Sequence, residues 1–416
     1  MSDATRNGTV QLRNSTSLAA SNLPVMQSRA LVLLASVGLA LSVLAGCGGG
    51  SQATTPAPKT VAASNVILGT RAEGTAKELI AKGEAALLAQ KWQEAVDAFE
   101  AVLAGDAEAA NNPGLLYDLA VAYEGLGDRE KARARFREIV RRFPNDPNAR
   151  NALAREVSLD AYLEDWAALG EAGEMILARP NLEPADRMLG LGARGLSRVQ
   201  AKDENGGSHD IQDGLDLVDE YRYGATGQLP VAAAMLKYAH GELRKLRSEK
   251  ISLDPPGTDF VLKLEARCAG LLDAQNAYAD AIRSIDPLWA AMSGYRVGEM
   301  YRQLHQELMR LPAPVTAKTE SDKQLFYAIM HVRYRALLDK GIEMMKRTLG
   351  LGERTGAASA WMARAKEAKD EMENALEDEK AQLAKLPYTE AEVEKALDIL
   401  KKKAQDQQAR AAAKTK

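Results

Sequence analysis

The residue types that carry most metal and acid–base chemistry are few in this chain and lie far apart. Its 416 residues include four histidines and two cysteines. The histidines are His209, His240, His305 and His331. A single histidine on a helix is more often a packing or surface residue than a metal ligand or a catalytic base. Cys47 and Cys268 are too few for a disulfide framework or a thiolate zinc site. We therefore expect no metal and no cofactor.

No catalytic motif of known spacing is present, whether His-Glu-x-x-His, a phosphate-binding Gly-x-x-x-x-Gly-Lys or Gly-x-Ser-x-Gly. The glycine-rich run at 350–356 follows a helical pattern and lacks the preceding strand of a dinucleotide site, so we interpret it as a helix end and loop. Glu371 and Glu373 lie in a charge-rich run and are interpreted as solvated. The sequence thus predicts no enzyme. The alternative is a helical peptidoglycan-lytic enzyme, which needs a glutamic acid in an apolar pocket.

Composition and charge exclude further classes of protein. The chain has 54 Lys plus Arg against 57 Asp plus Glu, a formal charge of −3, which gives no electrostatic case for a nucleic-acid partner. Only 5% of residues are aromatic, while Ala, Leu, Glu, Lys and Arg are abundant. This composition favours helices packed through small residues over sandwiches or barrels. We predict an all-α fold and expect no small-molecule substrate.

The N-terminal segment has the layout of an export signal. Residues 31–45 (LVLLASVGLALSVLA) carry no charge and follow Arg29, but the run is short for a membrane span. It ends in Leu44-Ala45-Gly46-Cys47, which resembles the lipobox of bacterial lipoproteins. The resemblance implies that residues 1–46 are a signal peptide. The polar residues before Met26 are unlike the start of such a signal, and a start at Met26 gives one of conventional length, so we expect translation to begin there. It also implies that Cys47 is lipidated and attaches the chain to a membrane.

The residues after Cys47 suggest where the protein resides. Lipoproteins with Asp directly after the lipidated cysteine are commonly retained in the inner membrane, and this chain has Gly48 there. We therefore expect a protein that is lipid-anchored in the cell outer membrane and faces the periplasm. Residues 47–72 are rich in Gly, Ser, Thr, Ala and Pro, which predicts a flexible tether.

An internal repeat follows the tether. Residues 76–109 and 113–146 superpose at an offset of 37 residues. The matched pairs are Leu79 with Leu116, Gly83 with Ala120, Ala95 with Ala132 and Phe99 with Phe136. They resemble the apolar, small and aromatic positions of the tetratricopeptide repeat, about 34 residues long. The resemblance implies helical hairpins that stack as a superhelix with a concave groove.

The repeat pattern weakens after Pro144. Residues 147–180 keep the helical length, but Leu169 and Gly173 replace the small and aromatic residues. A fourth hairpin is predicted from Ala185–Ala201 and His209–Tyr221, with a turn at 203–207. We assign residues 73–222 to the tetratricopeptide-repeat domain.

The C-terminal half has longer helical patterns, which we group as a helical domain over 229–387. The predicted helices cover 229–250, 260–284, 288–311, 321–350 and 357–386. Residues 363–385 interleave charges of both signs, which predicts a solvated helix or a coiled-coil arm. Cys268 lies in a helical run and is predicted to be a buried small hydrophobe. Residues 388–416 are predicted to be a charged tail, helical or disordered.

Two narrower resemblances concern function. The runs 295–312 and 322–356 resemble the helical C-terminal region of tetratricopeptide lipoproteins associated with gliding motility. The outer-membrane protein assembly lipoprotein likewise has a lipobox followed by tetratricopeptide hairpins, but this chain is longer. Both resemblances imply a scaffold that binds protein partners, namely subunits of a motility or cell-envelope machine.

The repeat family also implies which residues line the groove. Its groove positions correspond to Lys77, Ile80, Glu84 and Leu87 in the first repeat and to Tyr117, Val121 and Glu124 in the second. We expect an amphipathic helix or an extended peptide to dock there. Tyr117 is the expected anchor, because aromatic residues dominate interface hot spots.

Overall fold

Helices make up the regular structure of the residues that the computed structural model describes, and these residues contain no strand. The described residues are 73–225, 230–257, 259–283, 286–315, 317–355, 359–399 and 402. The predicted signal peptide, the lipidation site Cys47, the tether and most of the predicted tail lie outside them. None of the described helices has an apolar stretch long enough to cross a membrane.

The first eight helices form four consecutive hairpins. Hairpin 1 is α1 (Glu73–Leu88) and α2 (Trp92–Gly105), and hairpin 2 is α3 (Pro113–Leu126) and α4 (Arg129–Arg142). Hairpin 3 is α5 (Pro147–Tyr162) and α6 (Trp166–Leu177), and hairpin 4 is α7 (Pro184–Gln200) and α8 (Glu204–Glu220). A short 3₁₀ helix (Ala107–Asn111) connects hairpins 1 and 2.

Longer helices continue the chain. They are α9 (Val231–Glu249), α10 (Phe260–Ile282), α11 (Pro287–Met309), α12 (Glu320–Thr355) and α13 (Ala360–Leu383), and a further helical segment covers 390–399. The predicted bounds agree with these helices to within a few residues except at α12. That helix continues through 350–355, so interpreting the glycine-rich run as a loop is wrong there. Gly352 lies against α13, where an added Cβ would be 2.7 Å from Met362 Sδ.

The same turn joins the two helices of each of the four hairpins. One residue of each turn has a positive φ, namely Gln90, Gly127, Glu164 and Lys202. In each turn the next amide donates to the carbonyl five residues earlier, at 2.8 Å for Lys91 to Ala86 and 2.9 Å for Asp165 to Asp160. Hairpins 3 and 4 therefore share the turn geometry of hairpins 1 and 2, although their sequence pattern is weak.

Hairpins 3 and 4 replace the usual packing pattern with close backbone contact. Leu169 and Gly173 exchange the small and large positions that Ala132 and Phe136 occupy in hairpin 2. A Cβ added at Gly173 would lie 2.8 Å from the Arg194 amide nitrogen and 2.9 Å from the Gly190 carbonyl oxygen. Helices α6 and α7 therefore touch through their backbones.

Helix α8 begins earlier than predicted. The sequence predicts a turn over 203–207, but α8 starts at Glu204. The Asp203 side chain accepts a hydrogen bond from the Gly206 amide at 2.9 Å and caps the helix. The apparent turn residues are thus a cap and the first helical turn.

The stack continues into the C-terminal helices. First helices of successive pairs contact one another at α1–α3, α3–α5, α7–α9, α9–α11 and α11–α13. One apolar cluster extends from Ala76 in α1 to Trp361 in α13. Helix α13 buries Trp361, Ala365, Ala368 and Met372. The prediction of a solvated helix is therefore wrong for this face. The buried residues form only a narrow stripe with helical spacing, so the charged residues around them dominate the sequence pattern.

Candidate protein-binding surface

Helices α1, α3 and α5 are the first helices of hairpins 1 to 3, and they carry the predicted groove residues. We call this surface the α1/α3/α5 face. Lys77 is exposed, and Glu84 and Glu124 are partly exposed. The other four candidates, Ile80, Leu87, Tyr117 and Val121, are buried. The repeat positions therefore do not predict which of these side chains are accessible, and their place in a groove stays a prediction.

Tyr117, the expected anchor, is only 4% exposed. Its ring packs edge-to-face on Phe136, with ring centroids 5.4 Å apart. Its hydroxyl accepts a hydrogen bond from Arg155 Nε at 3.1 Å. The structure gives Tyr117 a packing role, and its contact with a partner stays a prediction.

Arg155 of α5 is the central polar residue of the face. Its Nη1 lies 2.6 Å from Glu124 Oε2, and its guanidinium lies 5.9 Å from the Tyr117 ring centroid. Burial lowers the pKa of Arg155, but Glu124 and the Tyr117 hydroxyl outweigh it and raise that pKa above its ordinary value. The sequence analysis missed Arg155 because the third repeat has a weak pattern. At the 37-residue offset Arg155 aligns with Asp118 of the second repeat.

A buried ion-pair cluster ties α5 to α4 behind this face. Asp160 is fully buried and lies 3.2 Å from Arg137 Nη2 and 3.4 Å from Arg133 Nη1. Arg137 Nε also lies 2.6 Å from Glu156 Oε1. Burial, together with the charge of Glu156, raises the pKa of Asp160 to about 7. At the 37-residue offset Asp160 replaces the aromatic Tyr123, which explains why the third repeat is hard to recognise.

The turn of hairpin 3 contacts the C-terminal helices. Glu164 accepts hydrogen bonds from Arg296 of α11 at 2.7 Å and from Arg364 of α13 at 2.6 Å. The Tyr162 hydroxyl accepts from the Ala360 amide at 2.9 Å, and its carbonyl accepts from Trp361 Nε1 at 3.3 Å. We name Tyr162, Glu164, Arg296, Trp361 and Arg364 the closing contact. It bounds the α1/α3/α5 face on the side opposite α1.

Two further interactions connect the closing contact to the face. The Arg129 guanidinium lies 5.1 Å from the Tyr162 ring centroid, and its Nη1 donates to the Glu124 carbonyl oxygen at 2.7 Å. Asp286, which caps α11, lies near the same glutamate. Burial and the negative charge of Glu124 raise the pKa of Asp286. The C-terminal end of α3 therefore contacts hairpin 3, and the charge of Glu124 acts on Asp286 at the start of α11.

Arg296 also reaches the interior of the stack. Its Nε lies 3.0 Å from Glu242 Oε1 and donates to the Tyr238 hydroxyl at 3.2 Å. Gln200 Nε2 donates to the same glutamate at 3.0 Å. Burial raises the pKa of Glu242, but the charge of Arg296 outweighs it and holds that pKa below its ordinary value. Arg296 thereby links α9 and α11 to the turn of hairpin 3.

Two of the histidines come together in the C-terminal helices. Glu379 of α13 contacts His331 Nδ1 of α12, and its Oε1 lies 3.3 Å from His305 Nε2 of α11. Burial opposes ionisation of Glu379, but the two imidazoles outweigh it and lower its pKa to about 2. Within the described part of the chain, no three His, Cys, Asp or Glu residues form a group that could hold a metal ion. This cluster connects three helices.

Cys268 of α10 is partly exposed, whereas the sequence predicts a buried residue. Desolvation of the thiol by its neighbours nevertheless raises the pKa of Cys268. A raised thiol pKa lowers the thiolate fraction at neutral pH and with it the reactivity of the cysteine. The structure therefore gives no reason to treat Cys268 as a nucleophile.

Comparison with known proteins finds a family match for part of the α1/α3/α5 face. Residues 86–156, from the end of α1 into α5, match the tetratricopeptide repeat family. Tetratricopeptide repeats generally mediate protein–protein interactions. A solved tetratricopeptide repeat protein from Parabacteroides merdae is 14% identical, with 72% of this chain and 100% of that chain covered and a TM-score of 0.40. No curated protein matches the sequence.

Proposed function

We propose that this protein is a lipid-anchored scaffold of the cell envelope that binds a protein partner on the α1/α3/α5 face. The observation that carries the proposal is the match to the tetratricopeptide repeat family, because the matched residues 86–156 include α3 and most of α5, two of the three helices of this face. Lys77 is exposed on the face, and the Glu124–Arg155 pair is partly exposed there. These charged groups suit a polar rim around the contact with a partner.

The exposed side of α1 supports the same proposal. Within the described residues, α1 is the first helix of the stack. Its outer side carries exposed Ala81 and Ala85 beside the exposed Lys77 and Glu78, and its last residue, Leu88, is 74% exposed. A terminal repeat needs a polar outer face to remain soluble by itself. An amphipathic helix of a partner would cover this side and extend the stack.

The proposals for the membrane anchor and for the cellular process rest on the sequence. We propose that lipid on Cys47 holds the scaffold at the outer membrane, facing the periplasm, and that its partners are subunits of a gliding-motility or cell-envelope machine. Assembly of outer-membrane proteins is the alternative process. The identity of the bound partner distinguishes the two.

Replacing Cys47 by serine tests the anchor. We expect Cys47→Ser to move the protein from the membrane fraction to the soluble fraction, because serine has no thiol to take up a diacylglyceryl group through a thioether. The measurement is cell fractionation together with metabolic labelling by a fatty acid. Cys268→Ser is the matched control and should stay in the membrane fraction with its label. An unchanged membrane fraction for Cys47→Ser would contradict the lipobox interpretation.

Site-specific photocrosslinking tests the partner-binding face. Lys77 and Asn151 occupy equivalent positions of hairpins 1 and 3, and both are exposed. We expect a photoreactive amino acid at either position to crosslink a partner in intact cells. The same group at Arg141, exposed on α4, should not. Mass spectrometry of the product then names the partner. Crosslinks from Arg141 alone would place the binding surface on the second helices instead.

A further inference from the structure

The closing contact joins parts of the chain that are distant in sequence. Glu164 and Arg364 are 200 residues apart, and their hydrogen bond crosses from the turn of hairpin 3 to α13. In the described part of the chain, α5 and α6 do not pack side by side with α11 or α13. We propose that the closing contact is an electrostatic switch that holds hairpin 3 against the C-terminal helices, and that its release opens the adjoining end of the α1/α3/α5 face.

The geometry shows how release would reach the face. Tyr162 belongs to the closing contact and stacks on Arg129, which in turn donates to the Glu124 carbonyl. Glu124 pairs with Arg155 on the face itself. A movement of hairpin 3 away from α13 therefore changes the surroundings of both charged face residues. The switch depends on the proposed function only for what the opened face binds, and its opening is measurable without a partner.

The ionic part of the contact is accessible to solvent. The side chains of Glu164 and Arg364 are 26% and 44% exposed. Ion pairs at this level of exposure weaken as salt screens them. A partner segment carrying an arginine can compete for the Glu164 carboxylate in the same way. Trp361 supplies the apolar part, with its ring 5.5 Å from Tyr295 and under the Arg364 guanidinium at 4.6 Å.

Glu164 can be removed without stranding a buried charge. Arg296 keeps its contacts with Glu242 and Tyr238. Arg364 keeps the Trp361 ring and solvent. Glu164 also has φ of 58°, a backbone conformation that glycine adopts more readily. Glu164→Gly therefore removes the carboxylate, and glycine is compatible with the positive φ of this turn.

Lys202 supplies a matched control. It occupies the same turn position in hairpin 4 with φ of 64°, and its side chain is exposed. Lys202→Gly makes the same backbone change outside the closing contact. A difference between the two glycine variants therefore reports the Glu164 side chain and not the turn.

Hydrogen exchange by mass spectrometry on the full chain tests the switch. We expect Glu164→Gly to increase exchange at residues 359–365 and 162–165 roughly tenfold or more, the factor for losing one charge-assisted hydrogen bond. Exchange at 373–383 should stay unchanged. Raising salt from 0.1 to 1 M shortens the Debye length from about 10 to about 3 Å. It should accelerate the same segments in the wild type but not in Glu164→Gly.

Small-angle scattering tests whether the release opens the stack. The radius of gyration of Glu164→Gly should exceed that of the wild type and of Lys202→Gly. Equal exchange in the two glycine variants would overturn the switch, and faster exchange without expansion would overturn the opening. Should Glu164→Gly disturb all of hairpin 3, Arg364→Gln provides the second test. Hydrogen exchange at residues 359–365 must be faster in this variant than in the wild type. Unchanged exchange there would overturn the proposal. Absence of crosslinks from Lys77 would instead count against the proposed function.

Discussion

Replacing Phe136 by alanine is expected to lower the free energy of unfolding by about 3–5 kcal/mol, the usual cost of deleting a buried aromatic ring. Phe136 is fully buried in α4. It packs against Tyr117 of α3, and the Arg155 guanidinium of α5 lies 5.8 Å from its ring centroid. The substitution therefore opens a cavity where three helices meet. Urea unfolding followed by circular dichroism measures the loss.

Arg141→Ala is the control for this prediction. Arg141 is exposed on the same helix, so its replacement should change the free energy of unfolding by no more than about 0.5 kcal/mol. A loss below about 1 kcal/mol for Phe136→Ala would show that the ring does not fill the core of hairpin 2. The assignment of its aromatic repeat position would then be wrong.

Replacing Arg296 by alanine is expected to cost a similar amount, about 3–5 kcal/mol at neutral pH, because it leaves a buried carboxylate unpaired. That carboxylate is Glu242, which is 5% exposed. Arg296 holds the pKa of Glu242 below its ordinary value, so the wild type has this stabilisation above about pH 4.5 and loses it as pH falls. Without Arg296, burial raises that pKa, and the variant should lose stability as pH rises.

The measurement is urea unfolding at pH 5 and pH 7 for both proteins. The deficit of Arg296→Ala should be smaller at pH 5, because Glu242 can take up a proton there. Adding Glu242→Gln should recover part of the loss at pH 7. Arg347→Ala breaks an exposed pair with Glu343 and should cost no more than about 1 kcal/mol. A deficit that grows at pH 5 would contradict the assigned role of Glu242.

The repeat could be predicted from sequence wherever its packing residues keep their usual sizes. Phe99 and Phe136, with Ala95 and Ala132, predict two hairpins, and the structure confirms them. In hairpin 3 the small and large positions are exchanged at Leu169 and Gly173. The exchange puts close backbone contact in place of a buried ring and so removes the sequence pattern. The charged Asp160 in an aromatic position has the same effect, because its partners are arginines on the preceding helix.

The candidate site was harder to predict than the fold. Repeat positions predict which side of a helix a residue faces, and of the predicted groove residues Lys77 is exposed and Glu124 partly exposed. The accessibility of a side chain depends on its neighbours from other repeats. Arg155, which lies over the Tyr117 ring, is such a neighbour, and no motif indicates it. The closing contact is even harder to predict from the sequence. Its residues follow no period, and Tyr162 and Trp361 meet although 199 residues separate them.

The closing contact changes how the chain should fold. In an open stack each repeat contacts only its neighbours, so stability is close to a sum of local terms and folding can spread from any hairpin. Here the hydrogen bond from Arg364 to Glu164 adds a contact of very large sequence separation. Its loop-closure entropy must be overcome before the contact contributes, which places its formation late in folding. Hairpin 3 and α13 then become one cooperative unit, in contrast to the independent repeats of a linear array.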